Sequence, residues 1–318
     1  TGPEAPPIAP LARPAAPDLY ERPVVFGQRG LFGILTLPPS GAPARDRPPI
    51  IIVNAGPGTR IGPHRQYVRM AREWSKLGFA TLRVDISGSG DSPSPGVGAG
   101  DPYPPCAVAD VGDAMSLLET ELGARRFIVG GVCSGADIAF RSGVEEPRTA
   151  GVLVLNPRTF ALRNIPMLEQ IVQTHYLSPA RSAKRNWRRV LAGEVTVKAA
   201  LARASQMAKT ALVDLRGRAR SLVDGESPDA PKAPRAVNVP ADVKRMVQRG
   251  VDTFLLVGER DVGIMFVEMH YADEMKALER LKGYRRVRFS GADHLFTSLH
   301  AQELMMDTVT RHLTETYG

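Results

Sequence analysis

Six apolar runs, each ended by a polar or glycine-containing loop, restrict what this chain can fold into. They are PPIIIVNAGPG (48–58), ATLRVDISGSGDS (80–92), RFIVGGV (126–132), AGVLVLNP (150–157), TFLLVGERD (253–261) and RVRFSGADH (286–294). In the first of them the apolar residues are consecutive rather than alternating, as in a strand buried on both faces of a parallel sheet. Helix-spaced segments lie between the runs. YVRMAREWSKLGF (67–79) places Tyr67, Met70, Trp74 and Leu77 on one face, CAVADVGDAMSLLETELG (106–123) follows the second run, and a further helix opens at Gly135. Strands alternating with helices predict an α/β protein: a mostly parallel central sheet with helices on both faces. Ahead of it, PVVFGQRGLFGILTLP (23–38) reads as a hairpin around Gln28-Arg29-Gly30.

The expected organisation has four parts. Residues 1–23 carry seven prolines among alanines and read as a linker or arm. Residues 24–156 and 251–318 are the two halves of the core. Between them, residues 157–250 lack a convincing buried strand and read as a helical, basic insertion. Arg181 to Arg220 holds eleven Lys/Arg against Glu194 and Asp214, within a chain of net charge +8. Such a patch is most simply a solvated helical face, and it also attracts anionic partners. No nucleic-acid-binding module accompanies it, so nucleic acid is not expected. No apolar run reaches the ~20 residues of a membrane span. Two cysteines, Cys106 and Cys133, make no disulfide framework, and the chain shows no signal peptide, so a reducing, cytoplasmic compartment is expected. No His/Cys cluster has metal-ligand spacing and no dinucleotide or Walker fingerprint occurs, so no cofactor is expected.

RFIVGGVCSGADIAF (126–140) turns from a strand into a helix across a Cys-Ser pair. A sharp strand-to-helix turn bearing a nucleophile needs near-absent side chains two residues to either side of it. Gly131 and Gly135 frame Cys133 in that way, whereas the same frame on Ser134 would use Val132 and Ala136. A glycine-rich turn with an inert thiol is the plainer reading of this stretch alone. Ligands of parallel sheets bind beyond the carboxyl ends of the strands. Reading strand ends in order gives Asn54–Gly58, Asp85–Ser92, Cys133, Asp261 and His294: nucleophile, acid, then histidine.

These motifs together resemble the α/β-hydrolase superfamily, over about residues 24–318. GVCSG resembles its nucleophile elbow, DISGSGDS its D-x-x-G-x-G-x-S loop, and NAGPG its H-G-x-P-G oxyanion loop, with Asn54-Ala55 in place of His-Gly. The inserted segment sits where the family carries a cap. The resemblance implies an α/β-hydrolase fold with Cys133 as nucleophile, His294 as base and Asp261 as acid. A helix N-cap is the plainer role for Asp261, and Glu259 is the other candidate acid. Most members carry serine at the elbow. NAGPGTRIGPHRQYV, GVCSGADIAF and NPRTF further resemble a bacterial subgroup of hydrolase-like proteins associated with biosynthetic gene clusters.

The implied chemistry suits these residue types. A thiol is a weak nucleophile until it ionises, and His294 can accept its proton while Asp261 orients the imidazole. Oxyanion donors would be the backbone N–H groups of Ser134 and Gly56, since Pro57 has none. His64 and Asn54 are candidate substrate contacts, and Asp85 a brace. A cysteine acyl-enzyme is itself a thioester, so exchange with another thiol is nearly balanced. The expectation is an ester or thioester hydrolase or an acyltransferase. An acyl carrier protein or coenzyme A could dock on the basic insertion. A non-catalytic binding or scaffold protein on the same fold is the other reading.

Overall fold

The structure, a computed structural model, describes residues 13–16, 19–40, 47–94, 99–160, 238–259 and 261–318. The chain divides into two compact units, Thr1–Ile165 with Val237–Gly318, and Pro166–Ala236. The second unit, with the basic cluster Arg181 to Arg220, lies outside the described residues.

The described residues of the first unit build one nine-stranded sheet of order β1-β2-β3-β5-β4-β6-β7-β8-β9. The strands are β1 (Arg13–Ala16), β2 (Leu19–Phe26), β3 (Leu31–Leu37), β4 (Ile50–Val53), β5 (Thr81–Asp85), β6 (Phe127–Cys133), β7 (Thr149–Pro157), β8 (Asp252–Gly258) and β9 (Tyr284–Phe289). From β5 across to β9 every pairing is parallel, while β1, β2 and β3 add an antiparallel flank. The helices are α1 (Gln66–Lys76), α2 (Ala107–Leu122), α3 (Ser134–Glu145), α4 (Val239–Gln248), α5 (Val262–Leu278) and α6 (Leu299–Tyr317).

Continuous burial follows from the two-sided cover. Every residue of β4, β5 and β7 is buried. Successive side chains of a strand point to opposite faces. Ile50 and Ile52 therefore meet Tyr67, Met70 and Trp74 of α1 and Met305, Val309 and Leu313 of α6. Ile51 and Val53 meet Val111, Met115 and Leu118 of α2 on the other face. Further along that face, Val152, Val154 and Leu255 pack with α3, α4 and α5. Trp74 Nε1 donates to Thr310 Oγ1 at 3.0 Å, tying α1 to α6. Among the described residues no helix is long and apolar enough to cross a membrane.

Three expected boundaries shift, one of them the start of the insertion, since residues up to Ile165 rather than 156 belong to the first unit. Residues 13–16 and 19–23 are strands rather than part of an arm: β1 pairs with β2, and β2 runs antiparallel along β3. Proline is tolerated on edge strands, which is where Pro14 falls, and Pro23 lies past Glu21, the last residue of β2 that β1 pairs. Glu21 then fastens this flank inward, accepting from Arg72 at 2.7 Å and Arg83 at 3.1 Å. The insertion also ends earlier than residue 250. Residues 238–250 belong to the first unit, where Asn238 caps α4 by accepting from Ala241 N–H at 3.0 Å. Val239, Val243 and Met246 recur at helical spacing and bury against the core.

Candidate active site

The elbow has no connecting residue: β6 ends on Cys133 and α3 begins on Ser134. Cys133 is held at φ 61°, ψ −124°, a backbone region that side-chain-bearing residues rarely adopt. Such strain costs on the order of 1–3 kcal/mol and persists only where the surroundings enforce it. The flanking glycines show how. A Cβ on Gly131 would lie 2.6 Å from the Gly135 carbonyl carbon, and one on Gly135 would lie 2.5 Å from Val53 O. The first turn of α3 presses onto β4 and β6, and only hydrogen fits between. This is the glycine frame of Cys133 rather than of Ser134.

His294 lies in the loop after β9 and Asp261 immediately precedes α5. His294 Nδ1 and Asp261 Oδ2 are 2.5 Å apart. Asp261 also caps α5, its Oδ1 accepting from Gly263 N–H at 3.0 Å. Asp261 thus caps α5 with one carboxylate oxygen and faces His294 with the other. Glu259, the other candidate acid, is exposed. The imidazole is 36% exposed, and its other partner is the Cys133 sulfur. Burial disfavours the imidazolium, but hydrogen bonds to Asp261 and Cys133 and the charges on both outweigh it, so His294 is raised to about 10. Cys133, His294 and Asp261 therefore meet although 161 residues separate the first from the second in sequence.

The loop after β4 differs from expectation. Gly56, at φ 54°, points its N–H at Ser134 Oγ at 2.7 Å. That donor is occupied by a side chain of the elbow itself. Asn54 does not face a ligand. It is fully buried, donating from Nδ2 to Gly56 O at 2.9 Å and Gly58 O at 3.1 Å, while Oδ1 accepts from Ile86 N–H at 3.1 Å. An amide that closes its own loop has nothing left for substrate, so Asn54 is a brace. Asp85 braces the same loop from below, accepting from Arg60 N–H and Arg60 Nη1, both at 2.5 Å, and from Asp91 N–H at 3.0 Å. His64 is exposed, at φ 50°, and its charge helps hold Asp293, the neighbour of His294, below the usual carboxylate range. Burial works against that, and hydrogen bonding from Thr297 is the larger cause in its favour.

Three polar residues near the site carried no recognisable role in the sequence. Tyr67 is fully buried, and its hydroxyl accepts from Val132 N–H at 2.8 Å, just before the elbow. Gln66 donates to Leu295 O at 2.7 Å and to Phe296 O at 3.2 Å, pinning the loop that follows His294. Asp137, one turn into α3, accepts from the backbone N–H groups of Arg158, Thr159 and Phe160 and, at 2.6 Å, from the Tyr103 hydroxyl. Their only sequence signal was a polar residue within an otherwise apolar helix face or strand end.

No protein-family model and no curated protein matches the chain. Solved structures do. A proline iminopeptidase from Mycobacterium smegmatis aligns with TM-score 0.57 and 18% identity over 93% of this chain and 98% of its own. An esterase from Pyrococcus furiosus aligns with TM-score 0.57 and 15% identity, over 94% and 92% respectively. A dienelactone hydrolase from Anabaena variabilis aligns with TM-score 0.52 and 15% identity, over 94% and 98%. At such identities the likeness is one of fold. With its largely parallel sheet, two-sided helical cover and strained elbow, this chain has the α/β-hydrolase fold.

Proposed function

We propose that the chain is a cysteine-dependent enzyme that cleaves an ester or thioester, passing the acyl group through Cys133 to water or to another acceptor. One observation carries this reading: a single imidazole meets a buried carboxylate on Nδ1 and also hydrogen-bonds the sulfur of a strained elbow. With Nδ1 committed to Asp261, Nε2 is the nitrogen left to take the thiol proton. With His294 raised to about 10, that transfer precedes the substrate, and the thiolate of the resulting ion pair bonds to the carbonyl carbon as the π pair moves onto oxygen. The N–H of Ser134, at the first turn of α3, has no intrahelical acceptor and suits that oxyanion. The imidazolium then gives its proton to the departing alkoxide or thiolate as the old bond breaks. Water, an alcohol, an amine or a thiol, deprotonated by His294, releases the acyl group and restores the thiol.

The ester chemistry named for the Pyrococcus esterase and the Anabaena dienelactone hydrolase is what this reading extends to the present chain. Thioester exchange with an acyl carrier protein or coenzyme A through the basic insertion belongs to the same proposal, as does a substrate contact from exposed His64. The narrower resemblance to biosynthetic-cluster proteins rests on the motifs alone.

A scaffold reading has one observation in its favour: Gly56 N–H is already bonded to Ser134 Oγ, which fills a donor that an oxyanion would need. Loss of one such donor costs about 2.7–4 kcal/mol of transition-state stabilisation. The strained backbone of Cys133, whose sulfur meets the His294 imidazole, weighs against it. Hydrolysis of p-nitrophenyl acetate and of an acetyl thioester separates the two readings. The enzyme reading expects turnover that falls about 10³-fold or more in Cys133→Ala and survives in Ser134→Ala. No turnover of either substrate by the wild-type chain supports the scaffold.

A further inference from the structure

We infer that Asn156 is a positioning residue for the His294–Asp261 pair, holding together the two loops that carry them. The inference rests on the proposed catalytic role of that pair and adds a residue that the proposed chemistry does not involve.

Asn156 stands at the carboxyl end of β7, the strand between the nucleophile strand β6 and the acid strand β8. Its side chain is fully buried, and all its bonds run to backbone on other elements. Nδ2 donates to Asp293 O at 3.2 Å and to His294 O at 3.0 Å. Oδ1 accepts from Gly258 N–H at 2.7 Å, at the end of β8, three residues before Asp261. One planar amide thus fixes the backbone of the histidine itself to the strand that delivers its carboxylate partner. Only an amide offers donor and acceptor on one rigid plane of this size. An aspartate would turn a carboxylate oxygen toward two carbonyls.

The backbone points the same way. Asn156 lies at φ 46°, in the left-handed region that asparagine enters more readily than most side-chain-bearing residues. Three features hold it there. Asp137 binds the next backbone N–H groups, Arg158 to Phe160. A Cβ on Gly263 would collide with Pro157 O, so α5 closes directly onto the Pro157–Arg158 peptide. The bond from Gly258 N–H to Asn156 Oδ1 is the third. The segment 156–160 is thereby anchored to the elbow helix at one end and to the acid and histidine loops at the other.

The experiment compares wild type with Asn156→Asp and Asn156→Ala in two assays, each with its own pH profile. The first follows p-nitrophenyl acetate turnover. The second follows iodoacetamide alkylation of Cys133, resolved from Cys106 by peptide mass spectrometry, and needs no catalysis. A misplaced imidazole is expected to lower kcat by about 10²-fold with KM little changed, and to lower the alkylation rate at neutral pH by about tenfold. The alkaline limb of turnover, which follows His294, is expected to move down toward that of an ordinary imidazole. Variants that keep the wild-type rates and profiles, or that lose only thermal stability, overturn the inference. Where a variant does not fold, Asn156→Gly takes its place, since it removes the same bonds while relieving the left-handed backbone. A wild type that is alkylated through His294 yet never turns over the ester refutes the proposed function and leaves the positioning role testable by alkylation alone.

Discussion

His294 is the residue on which pH dependence turns. Its pKa is raised from 6.5 to about 10 because Asp261 and Cys133 together outweigh the cost of burying the charge. The folded state thus holds a proton that the unfolded chain releases near 6.5. The stability this contributes is complete below 6.5 and is lost as pH rises through about 10. The same proton serves the leaving group, so kcat/KM is expected to hold on the alkaline side until about pH 10, and Asp261→Asn to bring that limb down. A pH–rate profile checks both, and an alkaline limb near 6.5 in the wild type would contradict the pairing. Gly135 gives a second test at this scale. Alanine there would put a Cβ 2.5 Å from Val53 O and 2.8 Å from Asn54 O, both backbone atoms that cannot swing aside. Urea denaturation of Gly135→Ala is expected to show a loss of about 1–3 kcal/mol, with ester turnover lost as the elbow shifts. The glycine spacing around Cys133 was legible in the sequence because it is local. The Ser134–Gly56 bond and the Asn156 bridge were not, since their partners lie 78 and 138 residues away. Nothing in a linear pattern says which carbonyl a buried amide will meet.

Among the elements, the central strands were readable because burial on both faces leaves unbroken apolar runs such as Ile50–Val53. The flanks were harder. Proline near β1 and β2 reads as linker, and what holds them is pairing of β1 with β2 and of β2 with β3, together with the ion pairs of Glu21. Helix α4 carried a legible start, Asn238 before Val239-Pro240, but the basic stretch ahead of it masks the change from insertion to core. Glu21 tests the flank. Burial pushes its carboxyl up, and the Arg72 and Arg83 guanidinium groups pull it further down, to below the usual 4.5. Its contribution is therefore present above pH 4.5 and is lost as pH falls through the lowered value. Arg83 is only 4% exposed, so removing its partner leaves a buried charge. Glu21→Gln is expected to destabilise by about 3 kcal/mol in urea at neutral pH. An unchanged midpoint would mean that the carbonyl of Arg60, 3.5 Å from Arg83 Nη1, suffices for it.

For the whole molecule, alternation of strand and helix announced a parallel sheet, but not its order. That β5 pairs with β3 and lies outside β4 is decided by how crossovers pack, which no single run of residues records. The order matters because it sets the carboxyl ends of β6 and β8 two strands apart, with β7 and its Asn156 between them. His294 arrives from beyond β9 to close the group. The central claim is that this convergence makes Cys133 a nucleophile. Peptide-resolved mass spectrometry after brief exposure to an acetyl thioester tests it most directly. An acetyl group on Cys133, absent in His294→Ala and still present in Ser134→Ala, is the predicted result. An acetyl group on Ser134 with Cys133 unmodified would contradict the claim.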